Sequence, residues 1–91
     1  MDDFKFVVKN LRVYDNEGEY TKVEFLKVFN TRYDAWKCYR DIRDDIPIKR
    51  PNNCYVEVMI ERYLVINGLI IFISVDEYAS NAHGEFTGVW E

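Results

Sequence analysis

The stretch CYVEVMIERYLVINGLIIFIS, Cys54–Ser74, decides the fold. Cys54–Ile66 alternates in the period of two that suits a strand with one buried face. Asn67-Gly68 is the dipeptide favoured by a type I′ hairpin turn, where both central residues take positive φ. Leu69–Ser74 continues in β-branched and aromatic residues. A two-residue turn fixes the register. Ile66 is therefore expected opposite Leu69, Leu64 opposite Ile71, Arg62 opposite Ile73 and Ile60 opposite Val75. With Val56 and Val58 these residues form one nearly all-apolar face, expected to lie under a helix. The other face then carries Tyr55, Glu57, Met59, Glu61, Tyr63, Val65, Ile70, Phe72 and Ser74.

Upstream, FKFVVKNLRVY (4–14) and YTKVEFLKVF (20–29) flank the turn cluster Asp15-Asn16-Glu17-Gly18-Glu19 and read as a first hairpin. The apolar phase slips in the first strand, from Phe4, Phe6 and Val8 to Leu11 and Val13. A bulge near Val7–Asn10 accounts for it, because one inserted residue resets the facing. The second strand slips likewise, from Val23 and Phe25 to Leu26 and Val28. Asn30-Thr31 then offers an N-cap, and Ala35, Cys38, Tyr39, Ile42 and Ile46 recur at helical spacing. An amphipathic helix is expected over 32–45, stopped by Pro47.

Beyond Ser74 two readings compete. Ser74-Val75-Asp76-Glu77 matches a capping box, and Ala79, Ala82 and Gly84 suit a short second helix near 75–83; the alternative is a longer fourth strand. Val89-Trp90 is expected to pack against the body. Consecutive strands with a segregated helix predict an α+β fold: an antiparallel sheet of two hairpins, in the order ββαββ, with one amphipathic helix packed on one face. Strand order stays open, because the crossover through the helix permits more than one arrangement.

The 91 residues, 48% hydrophobic, suit a single α+β domain over 1–91. The longest apolar run, Leu69–Ile73, is far short of the roughly 20 residues of a membrane span. Asp2 and Asp3 do not suit a signal peptide. A cytoplasmic location without membrane association is expected. Cys38 and Cys54 fit no zinc or redox spacing and read as small buried hydrophobes. Net charge is −4, yet residues 1–50 carry 11 basic and 10 acidic side chains while 51–91 carry only Arg62 against six carboxylates.

Catalytic signatures are scarce. His83 stands alone, the glycines are single and turn-like, and Asp44-Asp45 lies at a helix C-terminus where the macrodipole disfavours it. No enzyme activity, cofactor or metal is expected. Three functions remain. The first is a protein-binding inhibitor or adaptor, a role found among small acidic phage and mobile-element proteins. It would engage a basic, nucleic-acid-binding host protein through Tyr55, Glu57, Met59, Glu61, Tyr63 and Phe72, with Glu57 and Glu61 facing solvent. The second is a nucleic-acid-binding accessory domain using Arg32, Trp36, Arg40, Arg43, Lys49 and Arg50, one helix flank and the loop after it. The third is a small structural subunit that forms a homodimer through an apolar face.

Overall fold

Positive φ at both turn positions, 51° at Asn67 and 80° at Gly68, closes the second hairpin as its sequence requires. The computed structural model describes residues 3–15, 18–82 and 87–89. Among these, strands β1 (Asp3–Tyr14) and β2 (Tyr20–Phe29) form the first hairpin, helix α1 (Arg32–Asp45) follows, and β3 (Cys54–Ile66) and β4 (Leu69–Ser80) form the second. A short β5 (Thr87–Val89) adds to β4, so the order is ββαβββ rather than ββαββ. The fold is α+β, one antiparallel sheet ordered β2-β1-β3-β4-β5 with the helix packed on one face.

Local chemistry sets the helix ends. Thr31 takes an extended conformation, and its Oγ1 accepts from the Asp34 N–H at 3.2 Å, the geometry of an N-cap. Ile46, also extended, ends the helix immediately before Pro47, where the proline ring disfavours helical backbone. Ala35 and Tyr39 are buried, with Trp36, Cys38 and Ile42 half-buried beside them. They rest on Phe6 and Val8 of β1 and on Val56, Val58 and Ile60 of β3. Ala79 of β4 lies opposite Val58, so small residues, Ala35 and Ala79, occur on both the helix and the sheet in this core.

The expected register holds from the turn to Tyr63↔Phe72 and then changes twice. Ser74, not Ile73, lies opposite Arg62, and Glu77, not Val75, lies opposite Ile60. Ile73 and Asp76 are extra residues in two bulges. Without these bulges Glu77 would sit opposite Val58 in the core; with them Ala79 does, and the Glu77 carboxylate meets Arg32 at 3.2 Å. The second helix does not form: Val75–Ser80 continues β4, and the Ser74 hydroxyl donates to Asp76 Oδ1 at 2.6 Å instead of capping a helix. Residue 83 and Trp90 lie outside the described residues.

The bulge expected in β1 lies in β2. β1 runs in unbroken register along β3, whereas Glu24 is skipped between the pairs Asn10↔Phe25 and Leu11↔Val23. That insertion places Val23 on the same face as Leu26 and Val28. The apolar phase slip in β1 needs no bulge, since Leu11 and Val13 point to the face away from the helix.

A buried polar cluster ties the helix N-terminus to the sheet. Asp76, 8% exposed, takes Arg62 Nε at 2.9 Å and Nη2 at 2.7 Å, with Arg32 Nε at 3.5 Å. Arg62 also lies over the Phe4 and Phe6 rings. Burial opposes ionisation of Asp76, but the hydrogen bonds from Ser74 and Arg62 and the two arginine charges outweigh it and hold the carboxyl below its usual range. At the other end, Asn81 is fully buried; its Oδ1 accepts from Val56 N–H at 2.8 Å and its amide donates to the Pro47 carbonyl at 2.8 Å.

Candidate binding face

Directly opposite residues of antiparallel strands share a face, so the ladder defines the surface that α1 leaves open. Val28 of β2, Val7 of β1, Glu61 of β3 and Val75 of β4 stand in one row. Leu26, Lys9, Met59 and Tyr78 form the next. On the other side of the first row come Lys5, Tyr63 and Phe72, then Asp3, Val65 and Ile70. Lys5, Val7, Val28, Tyr63, Val65 and Ile70 line a shallow groove of about 200 Å³ across the four strands.

All six residues expected to bind protein lie on this face, as the alternation of β3 requires. They are not equivalent. Tyr63 and Phe72 meet edge to face, centroids 5.6 Å apart, and Phe72 is exposed. Met59 is buried and is therefore not an anchor. Tyr55 lies at the far end, under the Arg50 guanidinium.

Glu57 and Glu61, expected to face solvent, are half-buried and partnered within the chain. Glu61 Oε1 takes Lys9 Nζ at 2.7 Å and the Tyr63 hydroxyl at 2.9 Å. The Tyr78 hydroxyl donates to Glu57. The Glu61 hydrogen bond raises the Lys9 ammonium above its usual range despite partial burial. Burial, reinforced by the Glu57 bond, pushes Tyr78 up to about 12. The Glu61 charge is answered by Lys9, while Glu57 keeps its charge beside the neutral Tyr78 phenol.

The sequence reading overlooked the contribution of β1 and β2. Val23, Leu26 and Val28 are each more than half exposed, yet they join Ile70, Phe72 and Val75 on one surface. The signal was the phase slip of β2, which put three apolar residues on the side away from the helix.

The basic helix flank is engaged internally. Arg32 bonds Glu77 and pairs with Asp76, Arg40 pairs with Asp41 and covers the Trp36 ring, and Arg43 bonds Asp44. Arg50 grips both Asp15 oxygens, at 2.8 and 3.0 Å, and donates to the Ala82 carbonyl. Lys49 is exposed. Trp36 is half-buried against the core rather than presented for stacking.

A second concavity, between β2 and α1, is lined by Asn10, Phe25, Lys27, Phe29, Cys38, Asp41 and Ile42. Cys38 is half-buried here, not fully buried as its place on the apolar stripe suggested, while Cys54 is buried. Burial pushes the Cys38 thiol up, and a protonated thiol is a poor nucleophile. Among the described residues no three His, Cys, Asp or Glu side chains converge on a metal-sized site, and no helix is long and apolar enough to cross a membrane. Comparison with protein-family models, curated proteins and solved structures finds nothing that matches this chain.

Proposed function

We propose that this chain is a protein-binding module, not an enzyme, and that it works through the outer face of its sheet. The observation that carries this reading is the exposed apolar surface spanning β2 to β4. Val23, Leu26, Val28, Ile70, Phe72 and Val75 are 44–72% exposed. They form two strips, on β2 and β4, flanking Lys9 and Glu61 and bridged by Val7 and Val65 of the groove, and apolar side chains grouped in this way on one face mark a contact surface. Aromatic and aliphatic side chains on a rigid sheet suit a contact because they give area at small entropic cost. Since Glu61 is paired with Lys9 and Glu57 is half-buried beside Tyr78, recognition rests on this apolar surface more than on attraction to a basic protein.

Photo-crosslinking in the producing cells tests the face. A benzophenone amino acid replaces Phe72 in one variant and Tyr33, exposed on the helix, in another. A discrete protein adduct from position 72 and none from position 33 supports the reading. Adducts from position 33 alone, or from neither position, refute it.

A further inference from the structure

The two edges of the sheet differ. β2 forms one edge, where the bulge at Glu24 interrupts the ladder between the exposed Lys22 and Lys27. Bulges and charged side chains guard a free edge against further pairing. At the other edge β5 pairs only with Tyr78–Ser80 of β4. Among the described residues no strand lies beyond Leu69–Phe72, a run without charge or proline that ends where the bulge at Ile73 begins. All four of its side chains are exposed, from 42% at Ile71 to 72% at Ile70.

Hairpin geometry identifies the free backbone groups. The pair flanking a two-residue turn, here Ile66↔Leu69, exchanges both hydrogen bonds, and bonded pairs then alternate with non-bonded ones. Leu69 and Ile71 therefore bond to β3, while the N–H and C=O groups of Ile70 and Phe72 point away from it. One symmetric register satisfies all of these. A two-fold axis normal to the sheet, between Ile71 and its copy, sets Ile70 of each chain against the partner's Phe72, and each of these two pairs exchanges two hydrogen bonds. From this we infer a homodimer in which β4 pairs antiparallel with β4 of a second copy about Ile71, joining two sheets into one. This dimer uses the backbone edge of β4 and goes beyond the outer-face reading.

The side chains agree with a second copy as the occupant. The axis keeps each face of the sheet on its own side, so Ile70 meets the partner's Phe72 on the outer face and Ile71 meets itself on the helix side. Phe4, Leu64 and Ile71 form one row of the ladder. The row continues through the partner's Ile71, Leu64 and Phe4 without a polar residue. Phe4 is 43% exposed because α1 rests farther along the sheet, on Phe6, Val8, Val56, Val58 and Ile60. Symmetric pairing opposes a segment to itself, which a charged strand resists and the uncharged Leu69–Phe72 permits. Pairing about a two-fold also closes at two chains, with both unguarded edges used.

A cysteine beside the axis reads the register. Opposed residues of a non-bonded pair have Cα atoms about 4.5 Å apart, within disulfide reach. Ile71→Cys should therefore form a covalent dimer when oxidised with glutathione disulfide. Leu69→Cys should not, because its two copies lie more than about 10 Å apart. Cys38 is present in both variants, so cross-linking through it would appear in both. Sedimentation equilibrium at about 100 μM, a concentration suited to a small interface, should give wild type the mass of two chains. Ile70→Pro deletes an N–H that β3 does not use, an orientation in which an edge strand accepts proline. It should keep the circular dichroism spectrum and give the mass of one chain. A monomeric wild type, cross-linking of both cysteine variants or of neither, or a folded Ile70→Pro that remains dimeric overturns the dimer. If Ile70→Pro does not fold, the two cysteine variants decide. Ile70→Pro keeps Phe72 and the rest of the outer face, so loss of the dimer leaves the outer-face reading to its own cross-linking test.

Discussion

Asp76→Asn should be among the costliest conservative substitutions in this protein. The carboxylate is 8% exposed and receives Ser74 Oγ at 2.6 Å, two Arg62 nitrogens and the more distant Arg32. An amide keeps one acceptor oxygen but turns an N–H₂ toward a guanidinium and removes the charge that balances it. Breaking a fully buried pair costs roughly 3–5 kcal/mol. Here both arginines retain contact with water, side-chain exposures being 35% for Arg62 and 45% for Arg32, so the cost falls to about 2–3 kcal/mol. For a domain of this size that lowers Tm by roughly 10–20 °C. Thermal and urea unfolding followed by circular dichroism measure it. Acidity supplies an internal control. Because the folded carboxyl titrates below its ordinary value of 3.8, its stabilisation is complete above that value and is lost as pH falls through the folded one. The gap between wild type and variant should therefore close in strong acid. A Tm loss of under about 3 °C at neutral pH, or a gap independent of pH, would show that the cluster does not anchor the helix to β4.

Gly68→Val should lower stability by more than about 1 kcal/mol. No atom lies within 4 Å of the added Cβ, so the cost comes from φ +80° alone and Gly68→Asn should recover much of it on the same melting curve. Asn81→Leu leaves the Val56 N–H without its partner and frees the Pro47 carbonyl, and should cost about 2 kcal/mol in urea unfolding. Tyr78 titrates up to about 12 against an ordinary 10.0, so its stabilisation is complete below pH 10 and lost as pH rises through 12. Tyr78→Phe should flatten the alkaline fall in stability and remove the last-titrating phenol from the ultraviolet absorbance curve.

What could be read in the sequence was whatever a local pattern fixes. Asn67-Gly68, Thr31 and Pro47 each act within a few residues, and the turn, the helix bounds and the first pairs of the second hairpin followed from them. The bulges at Ile73 and Asp76 did not. Both residues fit an unbroken strand, and the capping-box match at Ser74–Glu77 fits a helix equally well. What selects the bulged strand is non-local: Val58 needs a small neighbour beneath α1, Arg62 needs a buried carboxylate, and Arg32 adds a second cation from the helix. Each of these partners lies in another element, so a linear reading has no term for them.

The same reasoning explains why half of the binding face was found. Its β3 and β4 residues share a hairpin, and alternation alone puts Tyr63 beside Phe72. Its β2 residues reach that surface only because β1 lies between β2 and β3, a strand order the crossover through α1 leaves open. The phase slip of β1, read as a bulge, was instead a sign that both faces of the sheet carry apolar side chains, while that of β2 does coincide with a bulge at Glu24. An outer face given wholly to solvent has no use for Val23, Leu26 and Val28 on an edge strand, where such residues invite aggregation. Their cost is offset if that face is covered in the functional protein, and Lys9 bound to Glu61 then lets the centre of the face be buried without a bare charge.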